Sequence, residues 1–213
     1  MENDPLMARV WTHDDEPKGG SMVLRGSNVT LRPLRVTDAE MTLRWRNSPR
    51  AFLLNPGART VQQQRAWIAA RPNTEYNFII ELGMKEPVGM LSLVDIDFQH
   101  RRGEPAHFLI GEPDLVKPYG PGCIAAEAEL LLFELAFDTL GLHRLDGTMA
   151  EDNTGMIAWN RYIGFREEGR LKHYYWLDGH WQDCVRMGLL EYAFRTYTIP
   201  RLRGFMGGFD AHS

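Results

Sequence analysis

The chain has 213 residues, of which 44% are apolar and 24% charged, and its formal net charge is -4. That length supports one domain with a buried core, and 24 Lys and Arg against 28 Asp and Glu argue against a dedicated nucleic-acid binder, whose footprint is basic. No apolar run approaches a membrane span, the acidic start (Glu2, Asp4, Asp14) is unlike a signal peptide, and Cys123 and Cys184 make neither a disulfide framework nor a zinc site.

These features predict a cytoplasmic protein with no metal, no membrane and no nucleic-acid partner. Residues 1–27 read as a polar N-terminal arm, 28–195 as the folded domain and 196–213 as a C-terminal tail. The aromatics of that tail, Phe205 and Phe209, suit docking or a dimer contact, so a monomer or a homodimer is expected.

Val29 to Leu34 alternates like a short strand. Thr37-Asp38-Ala39-Glu40 reads as a capping box opening a helix that ends near Ser48-Pro49, and Thr60-Val61-Gln62-Gln63 as a second, opening a helix to about Ala70. Tyr76 to Leu82 and Val88 to Asp97 read as strands of a hairpin, and Ala106 to Glu112 as a third strand. A Pro/Gly loop, Pro113 to Gly122, feeds the longest helix, Cys123 to about Leu140. Ile124, Ala128, Leu131, Leu132 and Leu135 share one face of it, with Glu127, Glu134 and Asp138 on another, and Gly141 stops it. His143 to Met149 is a strand, Asn153 caps a helix ending at Gly164, and Phe165 to Leu177 with Trp181 to Glu191 forms a hairpin around Asp178-Gly179. The order predicts a mixed α/β fold with a mostly antiparallel sheet, one parallel pair and helices on both faces.

Lys117-Pro118-Tyr119-Gly120-Pro121-Gly122-Cys123-Ile124-Ala125 is the most informative stretch. It follows a strand and opens a helix, where free amides and the positive end of the dipole suit a phosphate. Small residues allow close backbone approach, and Lys117 adds charge. Gly120-x-Gly122-x-x-Ala125 also fits the dinucleotide fingerprint formally, but Pro113 and Pro118 separate it from its strand and repeated βαβ units are lacking.

Several fragments, in order and on matching elements, carry a family resemblance. They are Leu31-Arg32-Pro33-Leu34, Leu43-Arg44-Trp45-Arg46-Asn47, Ile110-Gly111-Glu112-Pro113, Glu127-Ala128 with Leu130 to Phe137, Leu140 to Leu145, Asn153, and Gly164-Phe165. Between about Val29 and Phe194 the chain resembles the GNAT superfamily of acetyl-CoA-dependent N-acetyltransferases, most closely its Rim-type branch, which includes ribosomal-protein N-terminal alanine acetyltransferases. The resemblance implies a parallel pair of strands that splay apart, with the pantetheine arm of acetyl-CoA in the gap against Ile110 and Gly111. It puts the pyrophosphate on the loop above and Asn153 on the cofactor. The family's glycines align with Cys123 and Ala125 rather than with Gly120 and Gly122, so both sets are candidates. A tyrosine that the family often carries four residues before the glycine of Gly164-Phe165 is Asn160 here.

Amine acetylation needs two reactants held together, a proton removed and charge stabilised on oxygen and sulfur. The candidate bases are Glu112 and His107; strand alternation puts Glu112 on the face of Ile110 and Phe108, and His107 with Leu109 on the other. Where the family often has a glutamate this chain has Pro105, so Glu104 or His107 is a possible replacement. Asn160 is a candidate donor to the departing sulfur, and Trp45, Arg46 and Asn47 are candidates for the amine acceptor's site, with Trp45 also suited to the core. The implied activity is transfer of an acetyl group to a primary amine, either a protein N terminus or a small amine such as an amino sugar. A non-catalytic CoA-binding protein and, more remotely, an NAD-binding oxidoreductase are the rival readings.

Overall fold

The computed structural model describes residues 22–51, 57–72, 74–83, 85–120, 122–177 and 179–210. In chain order, strands β1 (Leu24–Arg25) and β2 (Val29–Pro33) form a hairpin, and helices α1 (Ala39–Arg46) and α2 (Val61–Ala69) follow. Strands β3 (Tyr76–Leu82), β4 (Glu86–Asp97) and β5 (Arg102–Ile110) make an antiparallel meander. A short helix α3 (Pro113–Val116) leads into α4 (Cys123–Glu134), which a π turn extends to Thr139. Then come β6 (Arg144–Ala150), α5 (Thr154–Ile163), β7 (Arg166–Leu177), β8 (His180–Leu190), a single turn α6 (Glu191–Ala193) and α7 (Ile199–Asp210).

The strands form one eight-stranded sheet in the order β1-β2-β3-β4-β5-β6-β8-β7. Among the described residues its one parallel contact, β5 with β6, is the crossover through α4. The mixed architecture expected from sequence is the one observed. On one face α4 buries Ile124, Leu132 and Phe133 against Phe78, Leu91 and Leu145. On the other a smaller core joins Trp45 of α1 to Ile79, Met90 and Leu109.

Local signals fixed many boundaries. The Thr60 box forms as expected, with Thr60 Oγ1 accepting from Gln63 N at 3.2 Å and Gln63 Oε1 accepting from Thr60 N at 3.2 Å. Gly141 (φ 63°) and Gly164 (φ 118°) occupy left-handed positions that favour glycine at helix ends. Gly179 (φ 81°) turns the β7–β8 hairpin, while its neighbour Asp178 lies outside the described residues.

Other expectations are corrected. The Thr37 box does not form: Asp38 accepts from Arg35 N at 2.8 Å and is gripped by Arg32, which also pairs with Glu81, so a short 3-10 turn precedes α1. β5 begins at Arg102 and ends at Ile110, not Glu112. Glu127 is not on a solvated face; it is buried and accepts from Asn28 N at 2.9 Å, tying α4 to the β1–β2 turn. Residues 1–21 of the proposed arm lie outside the described residues, but Leu24 and Arg25 already pair with Leu31 and Thr30.

The C-terminal segment is a docked helix. Leu202 is fully buried, Thr198 Oγ1 donates to Ile163 O at 2.5 Å, and Phe205 packs edge-on against Trp159 at 5.3 Å between ring centres. Among the described residues no helix is long and apolar enough to cross a membrane. Leu202→Ala is expected to cost roughly 2–5 kcal/mol, as for other buried leucines, measurable by urea denaturation; a change below about 0.5 kcal/mol would show that α7 is not part of the cooperative core.

Candidate active site

β5 and β6 pair only at Arg102–Arg144 and Gly103–Leu145. Beyond that point each strand keeps its outer neighbour, β5 with β4 as far as Ile110 and β6 with β8 as far as Ala150, but the two lose each other. A cavity of about 310 Å³ occupies the gap. Its lining comes from both sides of the sheet: Glu129 and Phe133 of α4 and Asn160 of α5 on one, Arg46 and Tyr175 on the other.

Two bulges shape this end of the sheet. Between Met90–Leu109 and Ser92–Ala106 the register gains a residue on β5, and His107 takes φ 55°. Between Val94–Glu104 and Asp97–Arg102 the extra residue is on β4, with Asp95 at φ 49°. Bulges bend a strand and increase its twist, which helps to part neighbours. The first puts His107 on the same face as Ser92, whose Oγ lies 3.2 Å from Nδ1. His107 lines the cavity with Trp67 edge-on to its ring at 5.5 Å. Burial, then the positive charges of Arg46 and Arg71, push its pKa down to about 4, so the ring is neutral at physiological pH.

Two carboxyls in the cavity are perturbed the other way. Glu104 is pushed up to about 7 by burial, then by the Asp95 and Asp146 carboxylates, with Arg186 opposing. It reaches toward β6, where a Cβ on Gly147 would meet its Oε1 at 3.1 Å. Glu129 is also pushed up to about 7 by burial, although Trp159 Nε1 donates to its Oε2 at 2.6 Å. The sequence marks Glu104 as a candidate but gives Glu129 no role. The available signal was that a carboxylate inside the apolar stripe of α4 needs a buried partner, and Trp159 is that partner.

Asn160 and Asn153 both line the cavity. Asn160 Nδ2 donates to Met149 Sδ at 3.2 Å, and Asn153 caps α5 by accepting from Met156 N at 3.3 Å. The structure thus brings His107, Asn153, Asn160 and Arg46 together at the gap. Tyr175 of β7 joins them, its hydroxyl 2.6 Å from Thr148 Oγ1, whereas the nearby aromatics Tyr174, Trp176 and Trp181 are exposed.

Three candidates fall elsewhere. Glu112 lies just past the end of β5 and does not line the cavity; it accepts from Trp45 Nε1 at 2.8 Å and pairs with Arg44, which together hold its pKa below the usual range. It therefore faces α1, not the side of Phe108 and Ile110, because the strand has ended and alternation no longer applies. Trp45 is buried in the smaller core, where a Cβ on Gly111 would strike its ring at 2.3 Å. Asn47 is the C-cap of α1 and donates to Leu43 O at 3.1 Å. Of the three acceptor-site candidates only Arg46 lines the cavity.

The loop before α4 has the chemistry for a phosphate. Gly120 (φ 90°) and Gly122 (φ 78°) are both left-handed, and Gly122 is an N-cap with no side-chain cap. Cys123 N bonds Gly120 O at 3.4 Å and Ala126 N bonds Gly122 O at 2.8 Å, while helix geometry gives the amides of Ile124 and Ala125 no acceptor within α4. Lys117 is tied to Asp114 and both are exposed; Tyr119 is exposed beside them. A Cβ on Gly122 would meet the Phe205 ring at 3.2 Å, so α7 walls this helix start. An uncapped helix start is a donor set that fits the phosphates of a nucleotide, and Ile110, with Gly111 just past it, ends the strand along which a thioester arm would lie, although none of the described residues from Gly111 to Ala125 lines the cavity itself.

A sheet parted at one parallel pair, with a cavity in the gap and an uncapped helix after it, defines the acyl-CoA-binding acyltransferase class. The chain belongs to the GNAT family: residues 28–166 match the model described as "Acetyltransferase (GNAT) domain". Probable N-acetyltransferase YjcK of Bacillus subtilis (strain 168) is 30% identical over 181 residues, 79% of this chain and 97% of that one. Spermidine N(1)-acetyltransferase of Escherichia coli (strain K12) is 29% identical over 121 residues, 57% of this chain, and the match spans 61% of that enzyme's length. Two solved structures share the fold. Spermidine N-acetyltransferase from Vibrio cholerae in complex with CoA and spermine has a TM-score of 0.69 at 23% identity, covering 80% of this chain and 100% of that one. A GCN5-related N-acetyltransferase from Brucella melitensis has a TM-score of 0.73 at 19% identity, covering 89% of this chain and 87% of that one.

Glu129 gives a test of the buried chemistry. Its pKa is raised on folding from 4.5 to about 7, so the folded state holds the proton more tightly. The stability this gives is complete below pH 4.5 and is lost as pH rises toward 7 and beyond, by roughly 3 kcal/mol in all. Glu129→Gln keeps an acceptor for Trp159 and removes the titration. Denaturation across that window should show a shallower decline for the variant; parallel curves would mean that Glu129 is not buried in its acid form.

Proposed function

We propose that the protein is an acetyl-CoA-dependent N-acetyltransferase whose acceptor is a small cationic primary amine. The observation that carries this reading is the gap between β5 and β6, with a cavity that holds Asp95 and Glu104. Asp95, exposed at the rim, raises the pKa of the buried Glu104 by charge repulsion, and an incoming ammonium relieves that repulsion. The names of the Escherichia coli and Vibrio cholerae relatives, spermidine acetyltransferases, agree with an acceptor of that charge.

Acetyl-CoA supplies an activated acetyl thioester. The neutral amine nitrogen attacks the carbonyl carbon, the new C–N bond replaces the C–S bond, CoA leaves as the thiolate, and the one proton that must leave nitrogen balances the one the thiolate takes up to become the thiol. Glu104 takes that proton: a carboxyl with a pKa of about 7 accepts and returns protons near neutrality. Asn160 offers an amide N–H to the departing sulfur from a site where it already contacts the sulfur of Met149. Asn153 and the amides opening α4 hold the cofactor, and Arg46 bounds the acceptor end.

The ribosomal-protein branch, with a protein N terminus as acceptor, is the alternative within the same chemistry. Free-thiol release from acetyl-CoA, measured with polyamines, amino sugars and peptides beginning with alanine, separates them. Polyamines are expected to be the best acceptors; preference for the peptides would restore the Rim-type reading. CoA binding without transfer to any amine would make the protein a non-catalytic binder. Glu104→Gln is expected to lower kcat by about 10²–10⁴. In the unaltered enzyme kcat/KM should rise with pH through about 7, as the carboxyl loses its proton, and the variant should lack that limb.

A further inference from the structure

Behind His107 runs a chain of hydrogen bonds whose direction is fixed at its far end. Glu75, just before β3, accepts from Asn77 Nδ2 at 3.1 Å and from Arg71 Nη1 at 3.4 Å. A carboxylate can only accept. The amide nitrogen of Asn77 therefore faces Glu75, and its Oδ1 faces β4. There Ser92 Oγ donates to Oδ1 at 2.7 Å. Ser92 is fully buried, and its hydroxyl has one proton, already committed to Asn77. Toward His107 Nδ1, 3.2 Å away, Oγ is left only to accept. The ring proton is therefore on Nδ1. A neutral imidazole with its proton there has a bare lone pair on Nε2, and His107 lines the cavity.

We propose that Glu75, Asn77 and Ser92 are positioning residues that lock His107 in its Nδ1–H tautomer, so that Nε2 serves the cavity as a hydrogen-bond acceptor for an N–H of the incoming amine. The role given to Nε2 rests on the acetyl-transfer reading; the lock itself does not. The charged groups around the ring favour the same state. Arg46 of α1 and Arg71, just after α2, both oppose a second ring proton, and the ring of Trp67 of α2 stands perpendicular to the imidazole. Glu104, on the same strand, takes the amine's proton while His107 holds the nitrogen's direction.

Long-range ¹H–¹⁵N spectra of the full chain read the tautomer directly, with the His107 signals identified by their loss in His107→Gln. The expected pattern is a protonated Nδ1 and a bare Nε2 near neutral pH. Ser92→Ala should free the ring to protonate on Nε2 and raise KM for the amine about tenfold, the worth of one hydrogen bond, with KM for acetyl-CoA unchanged. A His107 protonated on Nε2 in the unaltered protein overturns the lock, whatever the activity. A Ser92→Ala variant that keeps the amine KM overturns the role given to Nε2. A locked ring in a protein that acetylates no amine upholds the lock and overturns the acetyl-transfer reading instead.

Discussion

Two pairs of residues, Arg102–Arg144 and Gly103–Leu145, are all that join β5 to β6, and the function of the fold follows from how soon that pairing stops. Buried backbone amides and carbonyls left without partners cost about 1–3 kcal/mol each. Continuous pairing is therefore the default for adjacent strands. Here the inner edges of both strands line a cavity instead. An extended chain carrying its own amides can satisfy them, as a third strand would, and the uncapped start of α4 follows β5 in the chain after α3 and the Pro/Gly loop.

The closed end of the gap is secured. Arg101 O accepts from both His143 N (2.7 Å) and Arg144 N (3.1 Å), and Arg101 Nε donates to Gly141 O at 2.7 Å. Arg144 in turn links Asp146 to Glu168 of β7. These ties pin the root of β6 while its tip diverges. The cavity therefore opens from a fixed vertex, and the groups nearest to it, Glu104 and Gly147, are set by the sheet's register rather than by loops. A catalytic group held by register is more precisely placed than one on a loop.

What the sequence made legible was local. The Thr60 box, the Asn153 cap, the left-handed glycines and the Asp178-Gly179 turn each depend on a few adjacent residues, and each element they delimit was found. The misreadings depend on partners distant in the chain. Glu127 looks like a solvated helix residue until Asn28 is seen beside it, and the box of Thr37 and Glu40 gives way to a turn in which Asp38 accepts from Arg35 N and is held by Arg32. Gly204, Gly207 and Gly208 lower helix propensity by about 1 kcal/mol each, which hid α7; burial of Leu202, the Thr198–Ile163 bond and the Phe205–Trp159 contact oppose that cost. At the site, His107, Asn160, Asn153 and Arg46 were named and lie on the cavity, whereas Glu112 belonged to the contact with Trp45 and Glu129 was passed over.

The bulge at His107 explains why alternation could not have built this site. His107 and Glu104 are three residues apart, an odd spacing that puts side chains on opposite faces of a regular strand. With one residue added to β5, Ala106 pairs with Ser92 and Glu104 with Val94, so Glu104 sits on the face that His107 shares with Ser92. Removing the extra residue would send Glu104 toward α4 or His107 away from Ser92. A left-handed φ outside glycine costs of order 1–3 kcal/mol, and histidine is among the residues that tolerate it best. The strain at φ 55° is therefore the physical condition for Glu104 and His107 to share one face of the sheet, as the roles proposed for them require.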